Sequence, residues 1–209
     1  MIRKLLALLL VAGLLLPGCT YSETEPAPFT IIKGEADGVF VVPEIDDWTR
    51  AFATVTYAHH EIHEGDMYTT CNVTDLANGA TVNILIRTPN TLKWSHLLWD
   101  LDHELEATVT FYEAATVTAN GTELMARNRD RNSSNTAGTK IYVGPTVTAV
   151  GTQLCRVQQG AGNKAGGSDR AENEWVLKQN TVYLLRITNN TANNNLISTR
   201  LIWYEHTNE

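Results

Sequence analysis

Apolar and polar residues alternate with a period of two along most of the chain, which restricts the available folds more than any other feature. In residues 104–112 one face is apolar and consists of Leu105, Ala107, Val109 and Phe111. This is the pattern of a strand with one buried face. Similar runs recur between turn-forming pairs such as Asn78-Gly79, and no helical period competes. The sequence predicts an all-β fold, a single β-sandwich or jelly roll of about eight to ten antiparallel strands.

An internal repeat favours the same fold. Residues 111–124 align with residues 141–154 at an offset of 30, and both segments contain the pattern Tyr-x-x-x-Thr-Val-Thr-x-x-Gly-Thr-x-Leu. Two copies are too few for a solenoid, which needs at least about three repeats to bury its faces. We therefore expect the two copies to form two equivalent corners of one sandwich.

The N-terminus has the composition of an export signal. Residues 1–19 begin with Arg3 and Lys4 and continue with an apolar stretch that is too short to span a bilayer comfortably. The last four residues, Leu-Pro-Gly-Cys, resemble a bacterial lipobox, so Cys19 is a candidate lipidation site and would anchor the protein at the cell envelope. A plain secretory signal or an uncleaved hydrophobic N-terminus is the alternative.

The rest of the chain divides into a tether and one domain. Residues 20–28 are polar and rich in proline, as expected of a tether, and residues 29–209 are predicted to form the β-sandwich domain. The chain has a net charge of −7, and loss of the leader with its two basic residues would leave a charge of −9. Because phosphate contacts need clustered lysine and arginine, this acidic balance argues against a nucleic-acid partner.

Three cysteines occur in the chain. If Cys19 carries a lipid, Cys71 and Cys155 remain as a candidate disulfide in an oxidising compartment. Two separate buried thiols are the alternative.

Two long polar loops follow the two copies of the repeat. They span residues 127–140 and 158–173, and the basic residues that we expect to contact a partner are Arg127, Arg129, Arg131, Lys164 and Arg170. Loops longer than about 12 residues are uncommon and are often functional. We expect these loops to contact a partner or a neighbouring subunit, with a variable solvated surface as the alternative.

The densest polar cluster lies at residues 59–66. On a strand, His59, Glu61 and His63 would share one face and are therefore candidate metal ligands. The segment is one residue short of the His-Glu-x-x-His pattern, so a hydrogen-bonded strand end is the favoured alternative. A second cluster is a stripe of carboxylates, which we expect to face water: Asp100, Asp102, Glu104 and Glu106.

Aromatic residues offer a different kind of site. Trp94 and Trp99 would stack on sugar rings if they were exposed, whereas packing in the core with Trp175 and Trp203 is the alternative. The sequence has no nucleophile elbow, phosphate-binding loop or dinucleotide fingerprint. We therefore expect no catalytic residues, no cofactor and no enzymatic activity.

Several segments together resemble a group of small proteins encoded beside the structural genes of tailed phages. The resemblance covers roughly residues 50–206 and rests on the following motifs: Tyr-Ala-His-His-Glu-Ile-His-Glu-Gly-Asp at 57–66, Arg-Thr-Pro-Asn-Thr at 87–91, Phe-Tyr-Glu at 111–113, Asn-Arg-Asp-Arg-Asn-Ser-Ser at 128–134, Glu-Trp-Val-Leu-Lys at 174–178 and Trp-Tyr-Glu-His at 203–206. It implies a virion-surface protein of the head-decoration or cement type with a jelly-roll fold.

Two functions are therefore expected. The first is a non-enzymatic structural or adhesion subunit that binds a capsid-like lattice or copies of itself as a homo-oligomer. The alternative is a lipid-anchored cell-surface binding module of bacterial or prophage origin, with glycans as one candidate ligand. The export signal favours the second, because virion decoration proteins assemble in the cytoplasm and need no such signal.

Overall fold

A computed structural model describes residues 56–160 and 173–207, all of which lie in one compact unit, Val55–Glu209. In this part of the chain a short helix, α1 (Tyr57–His63), precedes the strands. The strands are β1 (Met67–Leu76), β2 (Thr81–Arg87), β3 (Lys93–His103), β4 (Ala107–Glu113), β5 (Thr116–Ala119), β6 (Thr122–Leu124), β7 (Arg127–Asn128), β8 (Lys140–Val143), β9 (Thr146–Ala149), β10 (Thr152–Gln159), β11 (Trp175–Leu177), β12 (Val182–Asn189) and β13 (Asn195–Thr207). The predicted all-β sandwich is confirmed.

The strands form two large antiparallel sheets that face each other. The five-stranded sheet has the order β11-β3-β13-β1-β7, and the six-stranded sheet has the order β10-β4-β12-β2-β8-β6. Their inner faces share one apolar core. In that core the Phe111 ring lies 4.9 Å from the Trp99 ring and 5.3 Å from the Trp175 ring, so aromatic residues from both sheets interdigitate.

Strand β4 shows how the alternating sequence produces this core. Ala107, Val109 and Phe111 point into the core, as the period of two predicts. The two threonines between them are also buried, with exposed fractions of 7% for Thr108 and 5% for Thr110. At these positions the strand is thus buried on both faces, and it lies inside the sheet between β10 and β12.

The two copies of the repeat meet about a local twofold axis. Strand β5 of the first copy pairs with β9 of the second, with Val117 opposite Val147. Beneath them, Leu85 and Leu184 are directly opposed on β2 and β12, and both are fully buried in a second, smaller core. The thirteen strands of the described residues exceed the predicted number partly because each corner adds short strands of its own.

The strand that ends each copy pairs with the strand that begins the other copy. Strand β6 pairs with β8, and β10 pairs with β4. The crossing requires glycine, because Gly121 and Gly151 have φ of +88° and +83°. A Cβ at Gly121 would lie 2.3 Å from the carbonyl oxygen of Val143, and one at Gly151 would lie 2.1 Å from that of Glu113. The two corners predicted from the repeat are therefore equivalent in the structure.

The predicted export signal with Cys19, and the tether at residues 20–28, lie outside the described residues. Among the residues that are described, no helix is long and apolar enough to cross a membrane.

Candidate binding surfaces

The polar loop at residues 127–140, called the arginine loop below, is fixed at its start by a buried amide. Its first two residues form β7, which pairs with β1. Asn128 Nδ2 donates to the carbonyl oxygens of Gly65 at 2.6 Å and Asn135 at 3.2 Å. Asn128 Oδ1 accepts from the backbone N–H of Asp130 at 2.9 Å. One buried side chain therefore holds the loop both to itself and to the chain that precedes β1.

A buried carboxylate fixes the other end of the arginine loop. Glu205 is only 3% exposed. It accepts the backbone N–H of Gly138 at 2.9 Å, the backbone N–H of Thr139 at 2.8 Å and the indole N–H of Trp203 at 3.0 Å. These three donors compensate for the cost of burying the carboxylate. The Thr139 hydroxyl also bonds to that of Ser95, so the loop re-enters the sandwich through a satisfied polar network.

Three arginines project from the arginine loop into solvent. Arg127, Arg129 and Arg131 are all exposed. The guanidinium of Arg129 contacts Met67, with Nη1 3.6 Å from Sδ, and Arg131 Nη1 donates to the carbonyl of Asn128 at 3.4 Å. Within the described part of the chain, none of the three forms an ion pair with a carboxylate. The loop therefore presents three uncompensated positive charges on an acidic protein. Lys164 and Arg170 lie outside the described residues.

The structure brings two of the three candidate metal ligands, His59 and His63, together without Glu61, because residues 57–63 form a helix rather than a strand. Thr56 caps α1 by accepting the backbone N–H of His59 at 3.4 Å. On this helix His59 and His63 are one turn apart, with their Nε2 atoms separated by 2.9 Å. Glu61 lies away from them and is buried, with 5% exposure. No group of three or more histidine, cysteine, aspartate or glutamate residues in 56–160 and 173–207 is arranged to hold a metal ion.

The predicted disulfide is also absent, since Cys71 and Cys155 are both free thiols. Cys71 is exposed on β1 of the five-stranded sheet. Cys155 lies on β10 of the six-stranded sheet and packs against the core between the sheets. The two thiols point in different directions from different sheets, so they cannot pair in this fold.

A polar cluster that the sequence analysis missed lies on the outer face of the five-stranded sheet. His96 on β3 is directly opposite Tyr204 on β13, and their rings stack at 4.5 Å. His96 Nδ1 is 2.6 Å from Glu174 Oε1, which also accepts from the Tyr204 hydroxyl at 2.8 Å. His96 Nε2 is 2.8 Å from His206 Nε2, so one of these two nitrogens is the donor. Only the register of β3 with β13 brings the cluster together, and nothing local in the sequence indicates it.

The two candidate sugar-stacking residues have different fates. Trp99 points into the core, where its ring lies 6.3 Å from that of Trp175. Trp94 is 38% exposed on the opposite face of the same strand. Trp94 is therefore the one of the pair that a ligand could reach.

The carboxylate stripe does not form a single surface. Asp100 accepts from Arg200 Nε at 2.9 Å, and this hydrogen bond together with the negative charge raises the pKa of Arg200. Glu106 lies beyond the end of β3, next to β4, and accepts from Gln158 Nε2. Glu104 lies in the turn between the two strands. Since β3 and β4 belong to opposite sheets, the stripe passes from one sheet to the other instead of converging.

Within residues 56–160 and 173–207 the candidate contact surfaces are the arginine loop, the exposed Trp94 ring and the side of β10 that faces away from β4, where no described strand pairs. Comparisons of the chain with models of protein families, with curated proteins and with solved structures found no match in any of the three.

Proposed function

We propose that this protein is a non-enzymatic adhesion subunit that attaches to a larger protein assembly through the arginine loop, in the manner of a capsid-decoration protein. The observation that carries the proposal is that three exposed guanidinium groups project from a loop held at both ends by buried polar side chains. A loop that served only as a connection would need neither anchor, because exposed connections are ordinarily free to vary.

The anchors matter because binding is weakened by ordering flexible groups. Each side chain that becomes immobile at an interface costs about 0.5–1.5 kcal/mol, and a loop that must also be ordered costs more. Here Asn128 and Glu205 have already ordered the backbone. Arginine is enriched in protein interfaces and is a frequent binding hot spot, because its planar guanidinium can donate two parallel hydrogen bonds to one carboxylate.

The partner surface is expected to be an acidic protein surface. Three closely spaced guanidiniums favour carboxylates or phosphates, and the net charge of −7 disfavours long polyphosphate chains, which would approach the rest of the molecule as well. The resemblance to virion-surface proteins of tailed phages supports a capsid-like lattice as the assembly. In that setting the protein would lie on the virion surface.

Co-sedimentation with purified tailed-phage capsids that lack their decoration subunits tests this proposal. The protein should sediment with the capsids, and the Arg127→Gln/Arg129→Gln/Arg131→Gln variant should bind at least tenfold more weakly. Lys178→Gln is the matched control, because it removes an exposed cation whose side chain pairs with Glu113 away from the arginine loop. Equal binding by the triple variant, or no binding by the native protein, would contradict the proposal. Arginine-dependent binding to RNA instead of capsids would contradict the choice of partner.

A second function is favoured by the exposure of Trp94. An exposed indole ring can stack on the apolar face of a sugar, so the protein would be a glycan-binding module, held at the cell envelope by a lipid on Cys19. A glycan array probed with the native protein and with Trp94→Ala tests this function, with Leu92→Ala as a control at a residue that is 81% exposed. Silence of the native protein on the array would exclude this candidate.

A further inference from the structure

Strand β10 (Thr152–Gln159) is an edge strand of unusual length for this fold. It pairs with β4 on one side, and on the other side no strand of the described residues pairs with it. The remaining edges of the two large sheets are β6, β7 and β11, which have three, two and three residues. Short edges are one of the ways in which proteins avoid unwanted strand pairing. β10 has eight residues and is therefore not protected by being short.

The open side of β10 is suited to receive another strand. Its backbone hydrogen bonds go to β4, and no turn or loop within the described residues bonds to its other side. A bulge separates Gln153 from Cys155, and the register is regular from Cys155 to Gln159. The strand contains no proline, lysine or acidic residue, and Val157 is 47% exposed. Apart from the bulge and the charged side chain of Arg156, β10 therefore lacks, within the described residues, the features that usually protect an edge.

We propose that β10 pairs antiparallel with β10 of a second copy of this chain, about a twofold axis at Val157. The two six-stranded sheets would then form one continuous sheet across a dimer. Twofold dimers are the commonest symmetric assemblies. A strand that pairs antiparallel with the same strand of a second copy has this twofold symmetry. This proposal goes beyond the proposed function, because it uses a different surface. The arginine loop starts at β7, at the edge of the five-stranded sheet, whereas β10 is at the edge of the six-stranded sheet.

Charge complementarity selects the second copy as the occupant and Val157 as the centre. With the axis at Val157, Arg156 lies opposite Gln158 of the second copy, and both side chains point to the outer face. Gln158 already donates to Glu106, so each Arg156 would face the Glu106 carboxylate of the other copy. Arg156 is exposed and forms no ion pair within the described residues. An axis at Arg156 would instead oppose two like charges, which is destabilising.

The mass of the full chain by analytical ultracentrifugation is the first test. We expect a dimer at about 10 µM, a concentration at which a micromolar dissociation constant gives mostly dimer. Arg156→Glu should raise that constant at least tenfold, because it faces Glu106 of the second copy. The Arg156→Glu/Glu106→Arg variant should recover dimerisation, since it restores opposite charges. Arg127→Glu makes the same charge change on the arginine loop and should leave the dimer intact. A native chain that is monomeric at this concentration overturns the proposal.

Disulfide trapping tests the register. Directly opposed residues on antiparallel strands have Cβ atoms about 4.5–5.5 Å apart, close to what a disulfide bridges. In a Cys19→Ser/Cys71→Ser/Cys155→Ser background, Val157→Cys should form a covalent dimer on mild oxidation. Leu154→Cys, on the same strand but away from the axis, should not. Linking of the Leu154→Cys variant without linking of the Val157→Cys variant would overturn the assigned axis. Loss of capsid binding by arginine-loop variants would leave both results unchanged, so the two proposals can fail separately.

Discussion

The two copies of the repeat, residues 111–124 and 141–154, have the same backbone at their corners but continue into different structures. The first copy ends in the three-residue strand β6, and the chain then enters the arginine loop. The second copy runs directly into β10, an eight-residue strand with an open edge. The shared part builds the sandwich, since each copy completes the sheet of the other. The candidate interaction surfaces begin where the two copies stop being alike.

The copies also differ at the strand that leads into each corner. Glu113 in the first copy bonds Lys178 Nζ at 2.7 Å and accepts from the Tyr183 hydroxyl at 3.2 Å. Its counterpart in the second copy is Val143, which packs against the main core. The local twofold symmetry therefore includes the reciprocal bonds from the Thr118 hydroxyl to the carbonyl of Thr146 and from the Thr148 hydroxyl to the carbonyl of Thr116, but not the contacts of Glu113.

The largest expected effect tests the equivalence of the corners. Gly121→Ala and Gly151→Ala should each lower the free energy of unfolding by about 2–4 kcal/mol, because a Cβ would overlap a backbone carbonyl and the φ values are unfavourable for alanine. Gly79→Ala is the control, with φ of +63° and open space around it, and should cost about 1 kcal/mol. Urea unfolding measures all three. If one corner tolerates alanine and the other does not, the copies are not equivalent.

The next effect tests how Glu205 holds the arginine loop, which follows the first copy but has no counterpart after the second. Glu205→Gln should lower the free energy of unfolding by about 2 kcal/mol, because an amide cannot accept all the N–H groups that the carboxylate accepts. Hydrogen exchange should become faster at residues 137–139 and stay unchanged in β10. Glu123→Gln removes an exposed carboxylate that pairs with Lys140 at 3.5 Å and should have little effect. Equal exchange rates in the native protein and in Glu205→Gln would show that this carboxylate does not hold the loop.

The sequence was a good guide to the parts of the fold that depend on local pattern. The alternation at Ala107, Val109 and Phe111 predicted their inward face, and the repeat predicted two equivalent corners. The pattern failed at α1, a helix of only two turns with Thr56 as its cap and with no apolar period long enough to identify it. That error placed Glu61 beside the two histidines, whereas the helix turns it into the protein.

The anchors of the candidate surface could not be predicted, for a different reason. Glu205 reaches Gly138 across 67 residues of sequence, and Asn128 reaches Gly65 across 63. Such bonds depend on the sheet order and register, which the alternation of residues does not determine. The arginines were found because they are neighbours in the sequence. Their rigidity was not, because it comes from residues that lie far from them along the chain.

The remaining effect depends on pH and concerns the polar contact that Glu113 makes only in the first copy. Burial and the nearby charge of Glu113 raise the pKa of Tyr183 from 10.0 to about 12, although its bond from the Lys178 N–H acts in the opposite direction. The unfolded chain therefore loses this proton near pH 10 and the folded protein only near pH 12. Between these values the unfolded state binds fewer protons, so the free energy of unfolding should fall by about 1.4 kcal/mol per pH unit from this residue. Burial also raises the pKa of Tyr68, which adds to the slope.

Urea unfolding at several pH values between 9 and 12 separates the contribution of Tyr183. The Tyr183→Phe variant should show a shallower decline than the native protein, with the difference appearing only above about pH 10, where an unperturbed tyrosine begins to ionise. Glu113→Gln should lower the pH at which Tyr183 ionises in the folded protein, because it removes a charge that disfavours the tyrosinate while leaving the ring buried. The same slope in Tyr183→Phe and in the native protein would mean that burial beside Glu113 does not raise the pKa of Tyr183. The polar contact of Glu113 would then give the first copy no pH dependence of its own.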